Sequence, residues 1–267
     1  MDLRPFRLTR EQILQGAKLL DYQPFILSDD VQTGIAYDWL YGQQDPGRYV
    51  AYRDQVNEDI WVRFAASNAQ LRSMYDEWIE AACSRVPDGN SVLDVACNSG
   101  YFLQRFAQKG YRDCIGYDML DKTQVFAYLN HILGTSAVFI HKRYDSWTHQ
   151  LPGCNPADLV IASAILLHLS DPLYFLHFLS GMTRKALLLF TKMLRSEEYL
   201  LRFEEPNAYY KDDPFPVCFD NNNSISTGLL NLSLKKLGFS EVIELRPNEN
   251  WVPDQAMGAM GVYLCLK

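Results

Sequence analysis

The sequence predicts an α/β fold, a mostly parallel sheet with helices on both faces. Three observations predict it. From residue 91 onward, apolar runs of strand length alternate with runs of helical period. The run Ser91–Ala96 reads as a buried strand. Glycines stand where the helical runs stop, at Gly110, Gly134 and Gly238.

The elements follow in order. Thr9-Arg10-Glu11-Gln12 has capping-box form and opens a short helix to about Leu20. Residues 21–44 are irregular and aromatic, with Tyr22, Phe25, Tyr37, Trp39 and Tyr41. Asp45-Pro46 supplies an N-cap and a first-position proline for a long helix. Its apolar face is Tyr49, Tyr52, Val56, Ile60, Phe64, Leu71, Tyr75, Trp78 and Ile79, and Pro87-Asp88-Gly89-Asn90 breaks it. Residues 1–88 are therefore expected to form a helical N-terminal cap, and residues 89–267 the sheet domain. Strands are expected at Ser91–Ala96, Cys114–Tyr117, Ala137–His141, Asp158–Ser163, Ala186–Met193, Glu241–Leu245 and Gly261–Leu266. Helices are expected at Tyr101–Lys109, Thr123–Leu133, Pro172–Met182 and Thr227–Leu237. No helix separates the last two strands, so they form a hairpin whose final strand runs antiparallel to the rest.

Composition narrows the function classes. Apolar residues are 48% of the chain, enough for a core, and net charge is −7 with a pI near 5.2. Acidic charge disfavours nucleic acid, whose phosphates supply most of the binding energy. No apolar run approaches the roughly 18 residues of a spanning helix. Met1-Asp2-Leu3-Arg4-Pro5 lacks the apolar core of a secretory signal, so a cytoplasmic protein is expected. The six cysteines form no C-x-x-C pair, and no metal site is expected.

The informative segment is Val92-Leu93-Asp94-Val95-Ala96-Cys97-Asn98-Ser99-Gly100-Tyr101-Phe102, an apolar strand entering a tight turn and then a helix. In open α/β sheets ligands bind at the carboxyl ends of the strands. Gly100 removes a Cβ where helix and ligand approach, and Asn98 tolerates left-handed backbone. Asp118 ends the second strand 18 residues after Gly100. Its carboxylate suits both hydroxyls of a ribose; the other reading is a cap for the next helix. With one glycine, the turn lacks the G-x-G-x-x-G cradle of dinucleotide enzymes.

Here the chain resembles the class I S-adenosylmethionine-dependent methyltransferases. Their D-x-G-x-G-x-G motif falls on Asp94, Ala96, Asn98 and Gly100, so two of three glycines are replaced. The segment from Asp158 to Pro172, with His168-Leu169-Ser170-Asp171-Pro172, looks like their fourth-strand motif. The resemblance covers about residues 90–194 and, more weakly, 225–267. It implies a Rossmann-like sandwich with a seven-stranded sheet, and S-adenosylmethionine as cofactor. It places Asp94, Ala96, Asn98, Gly100, Tyr101, Asp118, Met119, Tyr144, Asp145 and Ser163 at the cofactor. Asp145 would meet the adenine amino group, or is simply a loop acid. Cys97–Tyr101 and His168-Leu169 are most similar to the tRNA uridine carboxymethyltransferase-like branch, which uses a carboxylated cofactor. Its extra carboxylate needs a cation, for which Arg53, Arg63 and Arg72 on the long helix, or Lys192 and Arg195, are candidates.

The expected enzyme transfers a methyl group to an oxygen or nitrogen of a small molecule. A tRNA wobble-uridine (carboxy)methyltransferase and a non-catalytic cofactor-binding module are the alternatives. His168 follows the fourth strand and is the candidate general base; the other reading is packing at the start of the next helix. Tyr37 and Trp39 either close over the cofactor or pack. The insertion at 195–224, aromatic, proline-rich and acidic, is read as a substrate lid, with a homodimer contact as the alternative.

Overall fold

Continuous apolar strands place the sheet between two cores. A computed structural model describes residues 8–34, 50–203, 223–245 and 260–267. Its central strands are β4 (Ser91–Val95), β5 (Asp113–Asp118), β6 (Val138–His141), β7 (Ala157–Ser163) and β8 (Thr183–Leu194). These follow β1 (Ile26–Ser28), β2 (Val31–Thr33) and β3 (Val50–Tyr52), and precede β9 (Leu201–Phe203), β10 (Asn223–Ser226), β11 (Glu241–Glu244) and β12 (Met260–Leu266). In β7, Leu159 and Ile161 enter one core while Val160 and Ala162 enter the other, and β8 alternates likewise through Leu188 and Leu187. Two-sided burial is why these strands show no polar face.

The helices are α1 (Arg10–Ala17), α2 (Glu58–Arg85), α3 (Tyr101–Gln108), α4 (Thr123–Leu133), α5 (Pro172–Met182) and α6 (Thr227–Lys236). The first four supply the first core through residues such as Ala17, Trp78, Phe102 and Phe126. The last two supply the second through Phe175, Leu179, Leu230 and Leu234. The sheet order is β11-β12-β8-β7-β4-β5-β6. Neighbours from β6 to β8 are parallel, while β12 is antiparallel to both β8 and β11, as expected from the sequence.

Two expectations are corrected. The sheet has nine strands, because β10 pairs parallel with β8 and β9 pairs antiparallel with β10. Part of the expected lid is therefore sheet; residues 204–222, with most of its aromatics, lie outside the described residues. The N-terminal segment is not wholly helical either. β1, β2 and β3 form a small antiparallel sheet, and the long helix begins at Glu58. Asn57 is the N-cap, its Oδ1 accepting from the Ile60 N–H at 2.8 Å, with Glu58 and Asp59 in the first turn. This cap overrides the helical spacing at Tyr52 and Val56. Asp45, Pro46 and Tyr49 lie outside the described residues, as do Tyr37, Trp39 and Tyr41. The short first helix has its expected capping box, Thr9 with Gln12.

Phe25, Leu27 and Val31 share the first core with the sheet. No helix among the described residues is long and apolar enough to cross a membrane. Cys97, Cys114 and Cys265 are buried free thiols, and Cys83 and Cys154 are half-buried.

Candidate functional site

β4 ends at Val95 and the chain reverses into α3 through a loop of unusual backbone. Ala96 (φ 65°), Asn98 (φ 51°) and Gly100 (φ 79°) are all left-handed. At Asn98 the side chain helps hold this conformation, its Oδ1 accepting from Ser99 Oγ at 3.0 Å. A Cβ on Gly100 would collide with the Phe126 ring. The loop is tied to β5, since the Ala96 and Cys97 N–H groups donate to the Tyr117 carbonyl at 2.8 and 3.0 Å.

Two carboxylates flank the loop. Asp118, at the end of β5, accepts the Asn98 N–H at 2.8 Å and the Leu120 N–H at 2.9 Å. It does not cap α4, whose N-cap is Lys122. Each oxygen keeps a lone pair for a further donor. Asp94 is 1% exposed, and neither of its oxygens has a partner among the described residues. Burial, reinforced by Asp118, pushes its pKa well above the ordinary range. Burial and the same two acids also raise the Cys97 thiol.

The N-terminal segment locks this loop, which the sequence did not reveal. Gln23 is 6% exposed; its Nε2 donates to the Cys97 carbonyl at 3.2 Å and its Oε1 accepts the Tyr101 N–H at 3.0 Å. It thus satisfies one of the orphan donors at the start of α3. Asp21 beside it pairs with Lys122. Gln23 itself is anchored by Thr33, whose hydroxyl donates to the Gln23 carbonyl at 2.6 Å. Nothing in Gln23-Pro24-Phe25 marks this role in sequence.

The other predicted residues fall as follows. Tyr101 is 3% exposed, its ring near Phe25 (5.3 Å) and Tyr75 (5.5 Å) and its hydroxyl donating to Asp76 at 3.4 Å. Met119 and Leu120 are 61% and 55% exposed, an apolar ledge beside Asp118. Tyr144 turns its ring into the second core against Phe175 and Phe178, its hydroxyl 3.4 Å from Asp171. Asp145 closes its own turn by accepting the Trp147 N–H at 2.8 Å, a bond that leads in lowering its pKa. Ser163 ends β7, half-buried beside left-handed Ala164 (φ 56°). His168 closes the 3-10 turn Leu166–His168 just beyond and is half-buried. A second residue the sequence did not reveal holds that turn: Asn223 of β10 donates to the Leu166 and Leu169 carbonyls at 2.9 and 2.6 Å.

The five candidate cations separate. Arg53 lies before α2, not on it, and pairs with Glu58 at 2.9 Å. Arg63 is exposed and donates to the Asp59 carbonyl. Arg195 pairs with Glu244. Lys192 is half-buried on β8. Arg72 is half-buried on α2 and donates to Gln32 of β2 at 3.4 Å.

Comparison with known proteins matches this architecture to a methyltransferase domain over residues 67–240. The chain is 29% identical over 179 residues to a tRNA U34 carboxymethyltransferase of Alteromonas mediterranea, covering 62% of this chain and 50% of that protein. It is 32% identical over 97 residues to the enzyme of the same name from Colwellia psychrerythraea, covering 35% and 28%. The chain thus matches half or less of these relatives' length. Among solved structures, the N-terminal domain of EvdMO1 with S-adenosylhomocysteine superposes with a TM-score of 0.57 at 13% identity, covering 96% of this chain and 94% of that one. The Burkholderia thailandensis 1,6-didemethyltoxoflavin-N1-methyltransferase gives 0.54 at 13% identity, covering 92% and 99%. These structures share the fold. With the family match spanning most of the sheet and its loop, the chain belongs to the methyltransferase-domain family, within the class I S-adenosylmethionine-dependent methyltransferases.

Proposed function

We propose that this enzyme transfers a methyl group from S-adenosylmethionine to an oxygen or nitrogen of a small molecule. The residues present fit that cofactor. Asp94 holds two unpartnered buried oxygens for a cationic group, Asp118 has lone pairs left for a ribose diol, and Met119 with Leu120 offers an apolar ledge to a purine. Bound there, the cofactor would supply a methyl group activated by the sulfonium charge: an acceptor lone pair would form the new bond to the methyl carbon as the C–S bond breaks, its electrons staying on sulfur in a neutral thioether.

The chain's residues then have limited tasks. The loop Ala96–Gly100, held by Gln23, positions one reactant, which is the main catalytic contribution in such a displacement. His168, in the turn after β7, takes the acceptor's proton where the acceptor is a hydroxyl. Tyr144 supports the adenine side through packing and its bond to Asp171, and Ser163 stands at the end of β7.

The observation that carries the small-molecule reading is where the basic side chains go. Among the described residues, nine lysines and arginines pair with carboxylates, including Arg85–Glu241, Arg184–Asp158 and Lys185–Asp88, in a chain of net charge −7. A phosphate-binding row needs such cations unpaired. The sequence match to tRNA U34 carboxymethyltransferases favours a second reading, transfer to a tRNA wobble uridine.

Calorimetric titration with S-adenosylmethionine, S-adenosylhomocysteine, the carboxylated cofactor and NAD, followed by labelled-methyl transfer to tRNA and to a small-molecule panel, tests both. Binding of the adenosyl sulfur compounds with label passing only to small molecules supports the proposal. Label on tRNA selects the second reading, and no adenosyl binding removes both.

A further inference from the structure

The turn that carries His168 is weak by itself. A single 3-10 turn has poor hydrogen-bond geometry, and here the Leu169 N–H reaches the Leu166 carbonyl only at 3.3 Å. The segment is held from outside instead. Before the turn, left-handed Ala164 (φ 56°) donates its N–H to the Phe190 carbonyl of β8 at 2.8 Å. Across the turn, Asn223 Nδ2 donates one hydrogen to the Leu166 carbonyl at 2.9 Å and the other to the Leu169 carbonyl at 2.6 Å, one on each side of His168.

Asn223 is itself fixed by the sheet. β10 pairs in parallel with β8, Ile225 opposite Met193, and antiparallel with β9, Asn223 opposite Phe203. Three residues on, Ser226 Oγ donates to the Glu198 carbonyl at 2.5 Å and accepts the Leu229 N–H at 3.2 Å. The other end of the amide gains nothing. Asn223 is 1% exposed, and its Oδ1 is buried with no partner among the described residues. Continuing the parallel register back two residues sets Asn223 across from Thr191, whose Oγ1 is buried and unpartnered as well. Ile225 and Met193 lie in the second core, so both side chains point to that face. A buried amide with its carbonyl unsatisfied costs stability relative to an apolar side chain of similar size. Stability alone therefore does not account for an asparagine here; the two bonds to the turn do.

We propose that Asn223 is a positioning residue for methyl transfer: it pins both carbonyls of the turn and so fixes the direction in which the His168 imidazole faces. A base must stay within hydrogen-bond reach of the acceptor proton, and an error of about 1 Å in such a group costs up to about a hundredfold in rate. The strand that supplies the amide belongs to the insertion after β8, so that insertion contributes to the reaction through the turn it holds. The inference rests on reading His168 as the base.

The test observes His168 directly. Proton–carbon NMR of the imidazole rings, with His168→Gln to identify the signal, compares wild type with Asn223→Leu, Asn223→Ala and Thr191→Val, and melting temperatures confirm folding. In both Asn223 variants the His168 signal is expected to move or broaden while those of His131, His141 and His177 stay in place. Thr191→Val disturbs the same buried row but leaves both turn bonds, and is expected to leave the His168 signal unmoved. Methyl transfer to the acceptor that takes label in the small-molecule panel completes a double-mutant cycle. Asn223→Leu is expected to lower kcat about ten- to hundredfold with KM changed less than about twofold, and to add less than about a twofold effect to His168→Gln. An unmoved His168 signal, an equal displacement in Thr191→Val, or an undiminished effect of Asn223→Leu beside His168→Gln overturns the proposal. A displaced signal together with wild-type turnover in His168→Gln removes the base reading of His168 instead, and the catalytic role of Asn223 with it.

Discussion

Gln23→Met tests whether the N-terminal segment is part of the cofactor loop's architecture. Methionine keeps the length and apolar stem of the side chain but neither polar end. Two buried backbone groups lose their partners, the Tyr101 N–H at the start of α3 and the Cys97 carbonyl. Gln23 is 6% exposed, so water does not readily replace the amide. Each orphaned group costs about 1–3 kcal/mol, and the pair about 2–5 kcal/mol allowing for relaxation. For a domain of this size that is a fall in Tm of about 5–15 °C. Gln23→Glu keeps an acceptor for Tyr101 and loses the donor to Cys97, so its loss is expected to be smaller. Differential scanning calorimetry of the ligand-free proteins reads both, and titration with S-adenosylhomocysteine reads the loop. A Gln23→Met protein melting within about 1 °C of wild type would refute the bridge as a structural element.

Four further outcomes are expected. Asp118→Ala removes two loop hydrogen bonds and the diol acceptor together; S-adenosylhomocysteine affinity should fall at least about a hundredfold by calorimetry. Asp94→Asn isolates a buried titration: with the folded pKa raised above the unfolded value of 3.8, the wild type is progressively penalised as pH rises from there toward the folded pKa. The Tm difference, Asp94→Asn minus wild type, should therefore grow upward from about pH 4, and a flat difference would show Asp94 ionised at little cost. His168→Gln should lower methyl transfer to a hydroxyl acceptor by about 10²–10⁴ while leaving S-adenosylhomocysteine binding unchanged; unchanged turnover would make the residue structural. Ala96→Gly relieves left-handed strain at φ 65° and should raise stability by about 0.5–1 kcal/mol in urea unfolding, with cofactor affinity kept.

Legibility in the sequence followed burial. β7 and β8, covered on both faces, announce themselves as apolar runs, and the helix between them opens with a proline in its first turn. β10 does not, because Asn223-Ser224-Ile225-Ser226 has the composition of a turn. It is a strand because its polar groups are satisfied by tertiary partners: Asn223 holds the His168 turn, and Ser226 accepts the Leu229 N–H at 3.2 Å to cap α6. The helical spacing starts the long helix too early for a related reason. Tyr52 and Val56 fit its period, but Val50–Tyr52 pairs with β2, a contact only the folded chain supplies. Asp94 and Asp118 were legible as acids at strand ends. Gln23 was not, since an amide bridging two backbone groups 74 and 78 residues away leaves no local pattern.

The replaced glycines bear on whether the site is a relic. Glycine recurs in this loop because alternate residues must be left-handed, and the structure keeps that backbone with alanine at 96 and asparagine at 98. Each left-handed non-glycine residue costs about 1–2 kcal/mol unless something offsets it. At Asn98 the offset is visible, in the side-chain bond with Ser99 and in an N–H committed to Asp118. At Ala96 it comes from the N–H donated to Tyr117 at 2.8 Å. A loop released from function has no reason to keep a strained conformation that its own residues disfavour. Here the strain is held from β5, by the Tyr117 carbonyl and Asp118, and from the N-terminal segment, by Gln23. A left-handed backbone at 96, 98 and 100, held by partners outside the loop, weighs against a module that has lost its cofactor.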